Sequence, residues 1–310
     1  MKTRIAILIA LLCMGVAWAA QPKAKGAEKY DLRYHFTPGQ VRYYVVRADT
    51  TTTSGGQSTE KVTPEKISMA VWVSVEVLKV DTYGDATLKV TAQEFTVNTM
   101  GITKTYTAED LNHANRTVTV SPHGIWHFST EIKDAPQGVE RMAAEIAIQL
   151  QTSNFLFPTP PFPLKVGGTW VVQGKEPWSN GFENSIGDPQ PTKKSTYKFF
   201  GIKMLHGKPV YHIHVTTAIA GAMPKKGIAN IPYPTGKAVG IYIDDYWLSC
   251  DGSGILAAER SSSATATPKP GSSLNLFGYS PIILKGFMHL EATDTPPPSA
   301  SKAPSVEPPK

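Results

Sequence analysis

The stretch Ala70-Val71-Trp72-Val73-Ser74-Val75-Glu76-Val77-Leu78-Lys79-Val80 decides the fold class. Valine stands at positions 71, 73, 75 and 77, and Trp, Ser and Glu stand between them. Successive side chains of a strand point to opposite faces, so this repeat of two predicts a β-strand with one apolar face. The turn Asp81-Thr82-Tyr83-Gly84-Asp85 then leads into a second such run, Ala86 to Val97, which predicts an antiparallel hairpin.

Similar runs occur on both sides of this hairpin, and tight turns rich in glycine join several of them. The strand that contains the opening stretch extends from Ile67 to Val80. The other predicted strands are Val41 to Val46, Thr117 to Val120, Ile125 to Phe128, the strand after the glycine turn at Val166-Gly167-Gly168 as far as Val172, Tyr197 to Leu205, Val210 to Val215, Tyr246 to Cys250 and Ile255 to Ala258. The sequence therefore predicts a mainly β protein built from antiparallel hairpins.

One segment follows a helical repeat instead. Between Pro136 and Gln151, Val139, Met142, Ile146 and Leu150 recur every three or four residues, and charged residues occupy the opposite face. This spacing predicts one amphipathic helix over 136–151. A proline-rich stretch follows the helix, and we expect it to be an extended connector.

The second half of the chain repeats the first in outline. In each half a glycine turn precedes a first strand, a long hairpin follows, and a tight glycine hairpin comes last. The order favours an internal duplication, with two related curved sheets or half-barrels and the helix between or across them. The alternative is that any β-meander produces glycine turns at this density. We expect a first β module over 30–163, which includes the helix and connector, and a second over 164–293.

The two ends of the sequence differ from this middle part. A basic start, the apolar run Ile5 to Val16 and Ala17-Trp18-Ala19 predict a signal peptide over 1–19, although a retained N-terminal anchor is the alternative. Residues 20–29 read as a flexible lead-in and 294–310 as a disordered proline-rich tail. We expect an exported protein, periplasmic or extracellular, that is not transmembrane once the signal is cleaved.

The charge pattern gives no sign of a nucleic-acid partner. The net charge is +6, only 18% of the residues are charged, and lysines and arginines are spread along the chain. Proteins that bind nucleic acids usually carry a clustered basic stripe. We therefore expect no nucleic acid among the partners.

His212-Ile213-His214 has the spacing of a metal site. Residues two apart on a strand share a face, His206 lies a few residues away, and Asp244 or Asp245 could supply a further ligand. A polar pair on the outward face of a half-exposed strand gives the same sequence. We keep these histidines as weak metal candidates and expect neither a metal nor a cofactor.

No arrangement of nucleophilic or acid–base residues stands out. The sequence has no Gly-x-Ser-x-Gly elbow, and Asp244 and Asp245 should point to opposite faces of a strand, so they cannot flank one bond together. We therefore expect no catalytic residues and a protein that is not an enzyme.

Three short motifs carry a resemblance to known proteins. They are Leu32-Arg33-Tyr34-His35-Phe36-Thr37-Pro38-Gly39, the segment from Phe162 to Trp170, and Asp251-Gly252-Ser253-Gly254. With them the chain resembles a family of exported bacterial β-rich proteins of unknown function, over most of its mature length. More loosely, the architecture is similar to the half-barrels of periplasmic lipoprotein carriers, in which a bent sheet holds an apolar ligand against a helix. The resemblance implies a fold but no activity.

These observations favour an exported, non-enzymatic protein that binds an apolar or lipid-like ligand on a concave sheet. Val139, Met142, Ile146 and Leu150 are then the candidates for lining the pocket. The alternative is a structural module that contacts another envelope protein and holds no small molecule, and a third reading is a hydrolase-type enzyme. The expected partners are accordingly a hydrophobic small molecule or lipid, or an envelope protein.

Overall fold

A computed structural model describes residues 28–54, 65–128, 132–141, 143, 144, 147, 156–175, 192–222, 236–268 and 282–297. This part of the chain contains twelve β-strands. They are β1 (Val41–Ser54), β2 (Glu65–Val80), β3 (Ala86–Thr99), β4 (Ile102–Tyr106), β5 (Asn115–Val120), β6 (Trp126–Phe128), β7 (Thr169–Lys175), β8 (Thr192–Leu205), β9 (Lys208–Ala222), β10 (Gly236–Ser249), β11 (Ile255–Pro268) and β12 (Ile282–Thr293).

The strands form one open antiparallel sheet. Their order is β6-β5-β3-β2-β1-β12-β11-β10-β9-β8-β7, and β4 pairs with β3 beside this path. The prediction of a mainly β, antiparallel fold is confirmed. The first hairpin follows the sequence pattern closely, since Val71, Val73, Val75 and Val77 are at most 6% exposed on one face of β2.

The two expected β modules are joined into a single sheet. β1 pairs with β12 from Tyr43–Thr293 to Ser54–Ile282, and β12 also pairs with β11. From the β6 edge, the first half shows the tight hairpin β5–β6, then the long hairpin β2–β3, then the first strand β1. Beyond β12, the second half shows the same order: the tight hairpin β10–β11, the long hairpin β8–β9 and the first strand β7. This order agrees with the duplication, which remains a prediction, as do the module boundaries.

The hydrophobic core lies on one face of the sheet, which we call the inner face; the opposite face is the outer face. Two segments, 28–36 and 156–164, cross the inner face and together form what we call the strap. The Tyr34 amide donates to the Pro122 carbonyl in the β5–β6 turn (2.8 Å), and the His35 amide donates to the Gly252 carbonyl in the β10–β11 turn (2.9 Å). The strap therefore connects both halves at one end of the strands, the strap end.

The two strap segments also bind each other. The Phe157 amide donates to the Tyr34 hydroxyl over 3.0 Å, and the backbones of Tyr30 and Leu164 pair as an isolated bridge. Burial raises the pKa of Tyr34 well above its ordinary value, so this hydroxyl stays protonated and can keep its bonds. All three motifs that carried the resemblance contribute to this junction, which gives them a structural role.

Residues 138–141, 143, 144 and 147 are helical, which confirms a helix within the predicted segment. Its alanines at 143, 144 and 147 are buried in the core, so small side chains allow the helix to approach the sheet closely. Among the described residues, no helix is long and apolar enough to cross a bilayer. The predicted signal peptide, most of the lead-in and positions 298–310 of the predicted tail lie outside the described residues.

Candidate functional site

The inner face changes in character along the strands. At the strap end it carries large buried side chains, such as Phe199, Ile213, Tyr246 and Leu290. Towards the opposite end of the strands, the far end, small residues replace them. The face is therefore filled by the protein's own core at one end only.

We call the small residues of this far half the floor. The floor consists of Ala48 and Thr50 on β1, Gly286 on β12, Ser262 and Ala264 on β11, and Gly240 on β10. Thr50 pairs with Gly286, Gly286 with Ser262, and Ala264 with Gly240, so the floor is continuous across four neighbouring strands. All six residues are half-buried.

Larger side chains flank the floor in the same row of the sheet. Tyr242 of β10 pairs with Ser262, and Ile67 of β2 pairs with Thr50. Both glycines are packed closely: a Cβ at Gly286 would lie 2.6 Å from the Ser262 Oγ, and one at Gly240 would lie 3.2 Å from the Ala264 Cβ. In this row the small residues lie between Tyr242 and Ile67, and Leu284 of β12, which pairs with Ala264, lies on the same face.

A charged pair stands where the filled part of the inner face meets the floor. The Arg260 Nε donates to the Asp244 Oδ1, and the Arg260 Nη2 donates to the Tyr246 hydroxyl over 3.2 Å. The side chains of Asp244 and Arg260 are 4% and 24% exposed. Burial, followed by the charge of Asp244, raises the pKa of Tyr246 above its ordinary value. The pair is neutral overall, so it places hydrogen-bonding groups beside the floor without adding net charge.

Hydroxyl groups near the floor are bonded to the protein itself. The Ser195 and Thr217 hydroxyls lie 2.9 Å apart and both residues are buried, and the Ser262 hydroxyl donates to the Gly286 carbonyl over 3.3 Å. Polar groups that already have hydrogen-bond partners within the protein do not require a polar ligand. The floor therefore presents mainly methyl, methylene and backbone surface.

A concave feature lies at the strap end. Arg42, Tyr44, Val75, Leu156 and Ser253 are among the residues that line a cavity of about 20 Å³. The Arg42 guanidinium donates to the Ser253 carbonyl and hydroxyl oxygens, over 3.1 and 3.0 Å. Such a volume accommodates about one water molecule, so the cavity cannot hold the expected ligand.

The structure brings only part of the predicted metal site together. The His212 Nε2 and the His214 Nδ1 lie 2.8 and 3.1 Å from the same Asp245 Oδ1 on the outer face. Asp244 lies on the inner face, and His206 lies in the β8–β9 turn. Within the described residues, no set of three or more His, Cys, Asp or Glu side chains is arranged to hold a metal ion.

Aromatic packing gives His212 a different environment from the one expected. Its ring stacks between Phe200 and Trp247, with ring centres 5.3 and 5.6 Å away. The three rings come from β8, β9 and β10 and lie side by side across the outer face. This stacking and the hydrogen bond to Asp245 form a cross-strand contact that stabilises the sheet.

The predicted pocket residues are placed only in part. Val139 lies on the helix and is 53% exposed, so it does not pack against the sheet. Met142, Ile146 and Leu150 lie outside the described residues, and their assignment to a pocket remains a prediction. The floor and the Asp244–Arg260 pair were not found from the sequence, because the floor depends on the register of four strands and the pair on the register of β10 with β11.

No protein-family model and no curated protein matches the chain. Among solved structures, a lipovitellin structure concerned with lipid–protein interactions is 13% identical and covers 88% of this chain, with a TM-score of 0.40. The match spans only 27% of that lipovitellin chain. A candidate exported protein of Bacteroides fragilis with a YmcC-like fold is also 13% identical, with 84% of this chain and 99% of that chain covered and a TM-score of 0.26. At these scores the likenesses support no argument about function.

Proposed function

We propose that this chain is an exported, non-enzymatic protein that holds an apolar or lipid-like molecule against the far half of its inner face. The floor carries this proposal. It is a surface of small residues that extends across β1, β12, β11 and β10 on the same face as the core, with Leu284 beside Ala264.

The energetic reason is the removal of apolar surface from water. A hydrocarbon chain lying over the floor would gain about 0.8 kcal/mol for each methylene group that it buries, before the entropic cost of binding. Ser262 and Ala264 pack against the glycines Gly286 and Gly240, so such a chain would lie on these short side chains. Tyr242 and Ile67 would contact it from the sides.

The polar groups around the floor set the ligand class. Ser195, Thr217 and Ser262 already have hydrogen-bond partners, and Asp244 neutralises Arg260. A strongly charged ligand would find no uncompensated charge in this group of residues and would lose its own hydration. An uncharged or weakly polar hydrocarbon loses little hydration free energy when it binds to the floor. Export is proposed from the N-terminal sequence, and the proposal includes no catalytic step.

Titration with an uncharged fluorescent hydrocarbon, diphenylhexatriene, tests the proposal, with two matched substitutions. Ala264→Leu places a large side chain on the floor, whereas Thr103→Leu places the same side chain on exposed β4, on the outer face of the first half and away from the floor. We expect the wild-type chain and Thr103→Leu to bind the probe equally. Ala264→Leu should weaken binding roughly tenfold or more, because it fills the space that the ligand needs.

Thermal melts of both variants establish that they are folded. A native protein that does not bind the probe, or an Ala264→Leu variant that binds like the wild type, contradicts the proposal. Organic extraction and mass spectrometry of protein purified from its native source provide an independent measurement. A copurifying lipid is the expected result.

A further inference from the structure

The outer face of the second half carries exposed apolar and basic side chains together. We call these residues the outer patch. The outer patch consists of Val239, Ile241 and Ile243 on β10, Ile283 and Phe287 on β12, and the lysines Lys194, Lys237 and Lys285 on β8, β10 and β12. Its apolar members are 37% to 56% exposed. Apolar groups of this size in one exposed area mark an interaction surface.

Small side chains make the outer patch continuous. β11 lies between β10 and β12, and there Ser261 pairs with both Ile243 and Phe287. On the other side of β10, Ala218 of β9 pairs with Ile241 and Ala220 with Val239. The apolar side chains of β10 and β12 therefore rise above a low surface of Ser, Thr and Ala.

The charge of the outer patch is positive. On the outer face of the described parts of β7 to β12, no Asp or Glu lies on the far-end side of the row that holds Asp245 and Glu259; the neighbouring Asp244 lies on the inner face. Asp245 is bonded to two histidines, and Glu259 lies 3.7 Å from His289. On β1, the nearby Asp49 forms an ion pair with Lys66 over 3.3 Å.

We propose that the outer patch docks on an anionic lipid bilayer. A bilayer of this kind offers negative headgroups and an apolar interior in one plane, which matches lysines interspersed with Ile, Val and Phe. The long lysine side chains can lie along the surface and keep their charges at the headgroups. A second copy of this chain fits less well, because a symmetric contact would bring two sets of three lysines together.

Docking through the outer face leaves the inner face directed away from the bilayer. The inference does not depend on a ligand at the floor, because no residue of the outer patch belongs to the floor. It places the protein at a membrane surface, whichever molecule the inner face binds.

Cosedimentation of the purified exported chain with vesicles tests the inference. One vesicle type contains phosphatidylcholine alone, and the other has phosphatidylglycerol as about a third of its lipid, which gives it a negative surface potential. We expect binding to the anionic vesicles only, and release as the salt concentration rises. Lys194→Gln, Lys237→Gln and Lys285→Gln should each weaken binding roughly fivefold, and the triple variant roughly a hundredfold.

A matched control separates the patch from net charge. Lys165, Lys203 and Lys208 are also exposed, but they lie towards the strap end of the second half. Replacing these three by Gln removes the same charge, and we expect it to change binding less than about twofold for each lysine. An equal loss in the two triple variants would overturn the inference.

The apolar part of the patch has its own test. Ile241→Ser with Phe287→Ser should reduce binding to anionic vesicles, whereas Ile202→Ser with Met204→Ser, two exposed residues near the strap end, should not. The inference would be overturned if the wild-type protein did not bind anionic vesicles, or if it bound both vesicle types equally. Sedimentation velocity tests the remaining alternative, a second copy of this chain as the partner. A wild-type dimer that Ile241→Ser dissociates, in a protein that does not bind vesicles, would identify that partner and overturn the inference.

Discussion

Two glycines at the strap end are required by contacts that come from distant parts of the chain. Gly124 has φ of 69°, and a Cβ there would lie 2.3 Å from the Phe157 carbonyl oxygen. At Gly252 a Cβ would lie 2.4 Å from the His35 Cδ2 and 2.6 Å from the Arg33 carbonyl oxygen. Neither hairpin turn can therefore carry a side chain at this position, because the strap passes directly over it.

Gly124→Ala should destabilise the fold strongly, and Gly101→Ala provides the matched control. Both glycines have positive φ, but a Cβ at Gly101 would meet nothing within 4 Å. Gly101→Ala should cost about 1–2 kcal/mol of unfolding free energy, from backbone strain alone. Gly124→Ala should cost at least about 2 kcal/mol more, because it adds a clash with backbone. Urea unfolding measures both values, and equal losses would show that the strap moves aside freely.

Arg260→Met should destabilise the protein by about 3 kcal/mol. The substitution leaves the carboxylate of Asp244, only 4% exposed, without its cation. Adding Asp244→Leu should restore most of the loss, since a buried ion pair can often be replaced by apolar residues at little cost. Unfolding free energies of the two single variants and the double variant measure the coupling. A double variant no more stable than Arg260→Met would show that packing, rather than the unpaired charge, causes the loss.

At the level of single elements, alternation predicted the strands whose two faces differ most. β2 was recognisable because valine repeats on its buried face. β12 was missed although Leu284, Met288 and Leu290 share a face, since Gly286 interrupts the repeat. β11 was predicted only as far as Ala258, because Ser, Thr and Ala occupy both faces beyond it.

The candidate site was predictable only where residues of one strand define it. The shared face of His212 and His214 follows from their spacing, and the structure confirms it. Their common partner Asp245 depends on the pairing of β9 with β10, which a single sequence does not specify. The floor requires the register of four strands at once, so small residues scattered along the sequence gave no signal.

Leu290→Ala on β12 should cost about 2–5 kcal/mol of unfolding free energy, because the side chain is fully buried in the core. Leu284 lies on the same strand and the same face but is 37% exposed. Leu284→Ala should therefore cost less than about 1 kcal/mol. Denaturant unfolding measures both. Similar losses would mean that the far half of the inner face is packed as tightly as the core.

At the scale of the whole molecule, three features hold the halves together. The β1–β12 pairing runs along almost the full length of both strands, and the strap bonds to turns in both halves. The core crosses the same boundary, since Val46 of β1 and Leu290 of β12 are paired and both buried. Neither half retains all of its hydrogen bonds or its core contacts without the other.

We therefore expect the two halves to unfold in a single cooperative transition. Hydrogen exchange read by mass spectrometry at increasing urea concentration can follow β2 and β9 separately, since one belongs to each half. Both strands should lose protection at the same urea concentration, because unfolding either half exposes the edge of β1 or β12 and the core across it. Leu290→Ala should move both midpoints down together, and Leu284→Ala should leave both nearly unchanged. Separate midpoints for β2 and β9 would contradict this prediction, and would show that the two modules are stable domains despite their shared sheet.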